Sequence, residues 1–196
     1  MIEGNRISQA ALYSVQRAFV AALQYKSELA TYTDIDRNGK PTTVIETSAQ
    51  WENIGNTPAI DVRMVFGSVQ RNGELTEEEF IGLNLAETTL TTSAIAPKAV
   101  VESNMIRQRE EWFLGKSSHD QHWFYWGWMV YKDIFPDTEI HVTELCWKIE
   151  EIKWKVAENG KHVGKPFFSA VPCVQHNCID KFCGDYATII HAAQSK

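Results

Sequence analysis

The sequence predicts an all-β protein whose antiparallel strands form a β-sandwich, and three observations lead to that fold class. Apolar residues recur with the period of two that a strand in a half-buried sheet requires. Turn-forming residues separate these segments, and helical spacing is marginal throughout. Many short strands with turns between them are typical of a sandwich. The strongest alternation covers residues 42–51, 61–69, 123–132 and 139–149.

Length and composition fit one globular domain. The chain has 196 residues, of which 44% are hydrophobic and 22% charged, so it carries enough apolar material for a core and is not typical of a disordered protein. We assign residues 1–15 to an N-terminal stalk or a cloning remnant, and residues 16–190 to the β-sandwich. The net charge of −6 argues against nucleic acid as a partner, because binding to phosphates requires a basic face.

The N-terminal half supplies the first elements in order. Weak helical spacing over residues 5–16 predicts a short helical stalk. Residues 18–25 predict an Ala-rich strand, and the β-branched residues of 42–51 predict a strand with Trp51 on its apolar face. Further strands are predicted at 61–69 and 98–105.

The C-terminal half contains the strongest strand pair, residues 123–132 and 139–149. Both alternating sets of the first strand are apolar, which predicts that this strand is covered on both faces. In the second strand the apolar residues change face near Glu144, which predicts a β-bulge there. We expect the core to include Trp51, Val62, Trp126, Trp128 and Leu145.

The segment WENIGNTPAIDV at 51–62 carries the most specific local pattern. It closes one strand, turns and opens the next. Gly55 permits a positive φ, and Pro58, which has no N–H for a ladder, belongs at the start of a strand. The side chains of Asn53 and Asn56 are suited to binding backbone amides of the turn.

Three cysteines and a histidine lie within the stretch CVQHNCIDKFC at 173–183, and Cys146 lies upstream. A zinc site is a poor match, because zinc-binding segments normally show two C-x2-C-like pairs. A redox centre would require a C-x-x-C motif, which the sequence lacks. Four cysteines, an even number, suit two disulfides, and the residues alone leave three pairings open.

Two other segments match metal sites only in part. The stretch DIDRNG at 34–39 begins like a calcium loop, but Ile45 stands where that loop needs a bidentate Glu, so we predict a hairpin turn. The calcium-type residues are Asp34, Asp36, Asn38 and Gly39. His119 and His122 have no identifiable partner ligands, and we predict a polar loop before a strand.

The aromatic run WFYWGW at 123–128 has two interpretations. If exposed, it would form a platform for a carbohydrate or a nucleobase. Its period-two alternation is more typical of a sandwich core, which we predict. The sequence has no nucleophile elbow, phosphate-binding loop or dinucleotide fingerprint, and its carboxylates at 77–79 and 110–111 come in runs typical of solvated faces.

Several motifs in order give the chain a resemblance to a protein family. The N-x-G-x-T-P-A turn at 53–59 resembles that of immunoglobulin-like domains in bacterial envelope proteins. More narrowly, residues 16–183 resemble the extracytoplasmic β-sandwich of a large set of uncharacterised membrane-anchored bacterial proteins. The matching residues are the strand Gln16-Arg17-Ala18-Phe19-Val20, then Gly127, Tyr131, Asp133 and Phe135 of a G-x-x-x-Y-x-D-x-F hairpin, then Cys146, and finally Cys173, His176 and Asn177 of a C-x-x-H-N segment.

This resemblance implies an immunoglobulin-like sandwich in the periplasm, tethered to the inner membrane by an apolar span upstream of residue 1. It implies a disulfide between Cys146 and Cys173, which leaves Cys178 to pair with Cys183. His176 is then expected to be a loop residue with local hydrogen bonds. The pair Cys178 and Cys183 and the long segment 106–122 depart from the family pattern, and the resemblance implies no catalytic activity.

We therefore expect a non-catalytic domain that binds or senses at the cell envelope. Its partner would be a protein or an envelope ligand, and we expect no cofactor and no metal. Two alternatives stay open. One is a metal-binding protein or an enzyme that uses His176, Cys178 and Cys183, and the other is a structural domain that oligomerises. The sequence predicts neither the ligand nor the oligomeric state.

Overall fold

The fold is described by a computed structural model for residues 11–12, 15–35, 41–76, 90–109, 121–136, 138–160, 162–184 and 186–194. Within these ranges the elements described in full are nine strands, one 3-10 helix and one α-helix, and a few residues before β1 are also helical. The strands are β1 (Val20–Ile35), β2 (Pro41–Asn53), β3 (Ala59–Asn72), β4 (Leu90–Ile95), β5 (Val100–Glu102), β6 (Ile106–Arg109), β7 (Gln121–Lys132), β8 (His141–Val156) and β9 (His162–Pro172). The 3-10 helix is Asp180–Phe182, and the α-helix α1 is Tyr186–Gln194.

Two antiparallel sheets contain all of these strands, which confirms the all-β class. In the first sheet β1 pairs with β2, and both β5 and β6 pair with the other edge of β2. The second sheet has the order β4-β3-β7-β8-β9. Each neighbouring pair is antiparallel.

The N-terminal stalk stays a prediction. Ala11, Leu12, Val15 and Gln16 are helical, whereas residues 1–10, 13 and 14 lie outside the described part of the chain. No helix among the described residues is long and apolar enough to cross a lipid bilayer.

The main core draws residues from both sheets. Ile45 and Trp51 of the first sheet are buried in one cluster with Phe66, Tyr125 and Leu145 of the second sheet. Side chains from the two sheets thus share one apolar interior, as the alternation in the sequence predicts. The expected core residues Trp51, Val62 and Leu145 all belong to this cluster.

A second apolar cluster covers the opposite face of the second sheet. The predicted core residues Trp126 and Trp128 are buried here, not between the sheets, and Ile189 of α1 packs in the same cluster. The prediction that the strand at 123–132 is covered on both faces is therefore confirmed. The alternative of an exposed aromatic platform is wrong, because the chain after β9 folds over these rings.

The β-bulge predicted at Glu144 is wrong. The pairing of β7 with β8 runs without a register shift from Trp123 opposite Ile149 to Tyr131 opposite His141. The apolar residues change face because both faces of this part of β8 are buried, so alternation no longer marks a single interior. The predicted strand at 98–105 is also too long, since only β5 (Val100–Glu102) lies within it and β6 begins after it, at Ile106.

The turn between β2 and β3 follows the sequence prediction in most respects. Asn53 Oδ1 accepts hydrogen bonds from the backbone N–H groups of Phe19 and Gly55, and β3 starts directly after Pro58. The positive φ predicted for Gly55 is wrong, because only Gly73 and Gly160 among the described glycines have one. Gly55 is needed for close approach instead, since a Cβ there would collide with the backbone of Phe19.

Candidate functional site

The candidate site is built by residues 173–194, which we call the C-terminal cap. The cap continues along the edge of β8 where β9 ends. Cys173 N donates to Cys146 O over 3.0 Å, Glu144 N donates to Cys178 O over 3.0 Å, and Ile179 forms a bridge to Thr143. The backbone of this segment therefore provides hydrogen-bonding partners for backbone groups at the edge of β8, although the segment is not a regular strand.

Two polar side chains of the cap complete that edge. Asn177 Oδ1 accepts from Cys146 N over 3.0 Å, and Asn177 Nδ2 donates to Cys146 O over 3.0 Å. Asp180 Oδ1 accepts from Val142 N over 3.0 Å. These side chains make the hydrogen bonds to β8 that the backbone of a neighbouring strand would otherwise make. They therefore fix the cap in one register against β8.

Disulfides join Cys146 to Cys173 and Cys178 to Cys183, with Cα–Cα distances of 5.4 Å and 5.2 Å. The pairing implied by the family resemblance is confirmed. Disulfides form and persist in oxidising compartments, so these two indicate an extracytoplasmic environment.

A buried acid–histidine pair lies beneath the cap. Glu144 projects from β8 with a side chain that is 0% exposed, and its Oε2 lies 3.1 Å from Nδ1 of His176, whose side chain is 6% exposed. His176 is predicted to bond locally, and the structure shows that it also has a hydrogen-bonding partner 32 residues away. His176 has a φ of 62°, a conformation that L-residues adopt only where their surroundings impose it.

The same carboxylate approaches the shorter disulfide. One oxygen of Glu144 and the Sγ atoms of Cys178 and Cys183 all lie within 4.8 Å of one another. Sequence reasoning grouped His176 with these two cysteines but missed Glu144. The available signal was an acidic residue within the apolar run of β8, where a charge needs a partner.

A cleft of about 470 Å³ opens above this pair and is lined by residues of the cap together with Glu144. Two apolar side chains, Val174 and Phe182, are 90% and 91% exposed and line the same cleft. His176 and Cys178 form part of its wall. The cleft thus combines a buried acid–histidine pair with two solvated apolar groups.

A second polar cluster joins the cap to the body of the second sheet. His141 Nε2 lies 2.8 Å from Asp133 Oδ2, and His141 Nδ1 lies 3.0 Å from Asp180 Oδ2. The ring of Tyr131 stacks on the imidazole with 5.2 Å between the centroids. Arg17 Nη1 lies 3.7 Å from Asp180 Oδ2. Both ring nitrogens face carboxylates, which suits an imidazolium with two donors.

Burial and hydrogen bonding act in opposite directions on this cluster. Burial disfavours the charged form of His141, but hydrogen bonds to Asp180 and Asp133 outweigh it and raise the pKa of His141 above its usual 6.5. Burial likewise works against the carboxylate of Asp180, but hydrogen bonds from His141 and Val142 N lower the pKa of Asp180 below its usual 3.8. The folded protein therefore favours the charged pair.

Residues 17–20, which we call the N-terminal strap, are held by Tyr131 and Asp133 of the hairpin motif and by Thr143 of β8. Ala18 N donates to Asp133 Oδ1 over 2.6 Å, and Val20 N donates to the Tyr131 hydroxyl over 3.1 Å. Val20 O accepts from Thr143 Oγ1 over 2.7 Å. Tyr131 and Asp133 thus have a structural role that their motif alone did not reveal.

Most of the other sequence candidates lie outside the described residues. Asp34 lies in β1, which pairs with β2 in an antiparallel manner. Asp36, Asn38 and Gly39 are not among the described residues, so the hairpin turn stays a prediction. His119 also lies outside them. His122 lies in β7, where its ring meets Phe124 edge-on.

Comparisons of the chain with protein-family models, with curated proteins and with solved structures find no match.

Proposed function

We propose that the chain is a non-catalytic, extracytoplasmic binding domain of a membrane-anchored bacterial protein, and that the cleft of the C-terminal cap binds a protein partner. One observation carries this proposal. Val174 and Phe182 are almost fully exposed beside the cleft, on a cap that two disulfides hold in place. Exposed apolar side chains on a rigid frame are typical of protein-binding sites.

The strand order supports the immunoglobulin-like part of the proposal. Counting β5 and β6 together as strand E, the first sheet corresponds to strands A, B and E of that fold. Likewise, β4-β3-β7-β8 corresponds to C′, C, F and G, and β9 is an addition at the G edge. Domains of this architecture commonly bind partners through surfaces that their loops and edges present.

The chemistry of the cleft favours a protein over a small polar ligand. The side chains of Val174 and Phe182 form an apolar surface on which an aliphatic or aromatic side chain of the partner can pack. The exposed side chain of Gln175, which also lines the cleft, supplies hydrogen-bonding groups, as the polar border of a protein interface does. The partner is therefore expected to present an apolar side chain within a polar segment.

Site-specific photo-crosslinking in intact cells tests this proposal. We place a photoreactive residue at position 182 of the full-length native protein, and at position 167 as the matched control, because Phe167 is also an exposed aromatic residue but lies on β9 away from the cleft. We expect an adduct with another protein at position 182, none at position 167, and loss of the adduct when Val174 is changed to Asp.

Two outcomes would contradict the proposal. Equal adducts at positions 167 and 182 would mean that the cleft has no special affinity. An adduct between two copies of this chain would instead favour the alternative of a structural, oligomerising domain.

A further inference from the structure

Three potential metal ligands converge beneath the cap although two of them are joined in a disulfide. A carboxylate oxygen of Glu144 and the sulfur atoms of Cys178 and Cys183 lie within 4.8 Å of one another. A tetrahedral zinc ion, with bonds of about 2.0–2.3 Å, needs its ligand atoms roughly 3.5–4 Å apart. The framework therefore already brings the three donors to within a small adjustment of a zinc site.

We propose that Cys178–Cys183 is a redox-controlled zinc site, which forms when a dithiol reduces this disulfide. In that step the dithiol is oxidised to its own disulfide, the Cys178–Cys183 bond breaks, and each cysteine sulfur gains a proton. Zinc then displaces the two thiol protons to solvent and is bound by Cys178, Cys183 and Glu144. The fourth position faces the cleft and is open to water or to a ligand.

The oxidised chain cannot form this site, because disulfide sulfurs are not thiolates. Reduction of the shorter disulfide should nevertheless leave the fold in place. It closes a loop with a sequence separation of 5, against 27 for Cys146–Cys173, so its loss releases less chain entropy. The backbone bond from Glu144 N to Cys178 O also keeps Cys178 against the sheet.

The shorter pair is reached through the cleft, because Cys178 lines the cleft and is partly exposed. Its partner Cys183 is buried, as is Cys146 of the longer pair. Among the described residues, Glu144, Cys178 and Cys183 form the one group of three or more His, Cys, Asp or Glu residues that each bring a ligand atom within 4.8 Å of the others'.

His176 acts in this site as a positioning residue. Its Nδ1 lies 3.1 Å from Glu144 Oε2, so a proton on Nδ1 would fix the carboxylate and leave its other oxygen to face the sulfurs. Mutation of a residue that hydrogen-bonds to a metal ligand typically lowers the metal affinity by about 10–100-fold. His176→Ala should therefore weaken zinc binding within that range, and His176→Asn, which keeps a nearby N–H donor and tolerates a positive φ, should restore part of it.

Cobalt titration of the whole chain tests the proposal, with cobalt as the spectroscopic substitute for zinc. We reduce the protein anaerobically with a phosphine and measure the thiolate-to-cobalt charge-transfer band. We expect one equivalent of cobalt, displaced by zinc, with the intensity of two thiolates. The untreated, oxidised protein is the matched control and should give no band.

Two paired variants separate the two cysteine pairs. After reduction, Cys178→Ser with Cys183→Ser should lose the band, whereas Cys146→Ser with Cys173→Ser should keep it. Glu144→Gln retains both disulfides before reduction and should bind cobalt at least about ten times more weakly. Circular dichroism verifies that each variant is folded.

Three results would overturn the proposal: no band in the reduced protein, an unchanged band without Cys178 and Cys183, or full affinity in Glu144→Gln. If a paired variant does not fold, the cobalt titrations of the wild type and of Glu144→Gln still show whether the reduced chain binds the metal and whether Glu144 is a ligand. The proposal does not depend on the protein partner, so the crosslinking experiment can fail without affecting it.

Discussion

Asn53 shows how one residue can join three parts of the fold. Its Oδ1 accepts from Phe19 N and Gly55 N, while its Nδ2 donates to Thr57 O over 2.8 Å and to Ile95 O over 3.0 Å. The residue is fully buried. The bonds to Gly55 N and Ile95 O are buried and the other two are partly buried, so their loss leaves backbone groups without partners in an environment with little water.

We predict that Asn53→Ala lowers the free energy of unfolding by about 2–4 kcal/mol, because buried amides and carbonyls lose their partners. Urea denaturation monitored by tryptophan fluorescence measures the change. Asn56→Ala is the matched control in the same turn. Its amide makes an exposed bond to Val15 O, and its loss should cost at most about 0.5 kcal/mol. Equal losses in both variants would contradict the role given to Asn53.

His141 makes stability depend on pH in a direction that the structure determines. Its pKa is raised in the folded state, so the proton stabilises the fold below the unfolded value of 6.5, and this contribution is lost as the pH rises through the raised folded pKa. The pKa of Asp180 is lowered, so its contribution is present above 3.8 and is lost as the pH falls through the lowered folded pKa.

We predict that the free energy of unfolding falls as the pH rises from about 6.5 through the raised folded pKa of His141. His141→Gln, which cannot titrate, should remove this part of the slope. Urea denaturation of both proteins across that range measures the difference. Parallel pH profiles for wild type and His141→Gln would show that the cluster does not carry the effect.

At the scale of elements, the cap gives the second sheet its outer cover. Ile189 of α1 is buried with Trp126 and Trp128 of β7, and the Tyr186 hydroxyl donates to Ile140 O. We predict that Ile189→Asp detaches α1, because a carboxylate cannot remain in this apolar cluster without a partner. Tryptophan emission should shift to longer wavelength and binding of a hydrophobic dye should rise, while the far-ultraviolet β signal persists.

Thr188→Asp is the control for the detachment of α1. It adds the same charge to the same helix at an exposed position, so its emission spectrum should equal that of the wild type. If Ile189→Asp also leaves the emission unchanged, α1 does not shield Trp126 and Trp128 from solvent.

The elements also show which parts of the fold the sequence could predict. Strands such as β3 and β7 were predictable, because successive side chains of a strand point to opposite faces of the sheet, so apolar residues recur with a period of two on a buried face. The strand β9 was missed, since HVGKPFFSAVP contains Gly and Pro, which only an edge strand tolerates. The pairing of Glu144 with His176 could not be derived, because nothing in local spacing encodes a contact across 32 residues.

At the scale of the whole molecule, the two ends of the described chain meet at one cluster. Asp133 binds the strap through Ala18 N and binds His141 through its other oxygen. His141 in turn contacts Asp180 of the cap, and Arg17 of the strap lies beside the same carboxylate. A displacement of the strap would therefore disturb the cap through Asp133, His141 and Asp180.

The final prediction concerns that tether. The strap resembles the strand that follows a membrane anchor. Its hydrogen bonds to Asp133, Tyr131 and Asn53 would transmit to the domain any force applied to the chain upstream of the strap. We predict that the native gene encodes an apolar span of about 20 residues upstream of the strap. The native product should then sediment with membranes and carry oxidised cysteines, and deletion of the span should release it into the soluble fraction. A native product without such a span, found in the cytosol with reduced thiols, would refute both the tether and the periplasmic location.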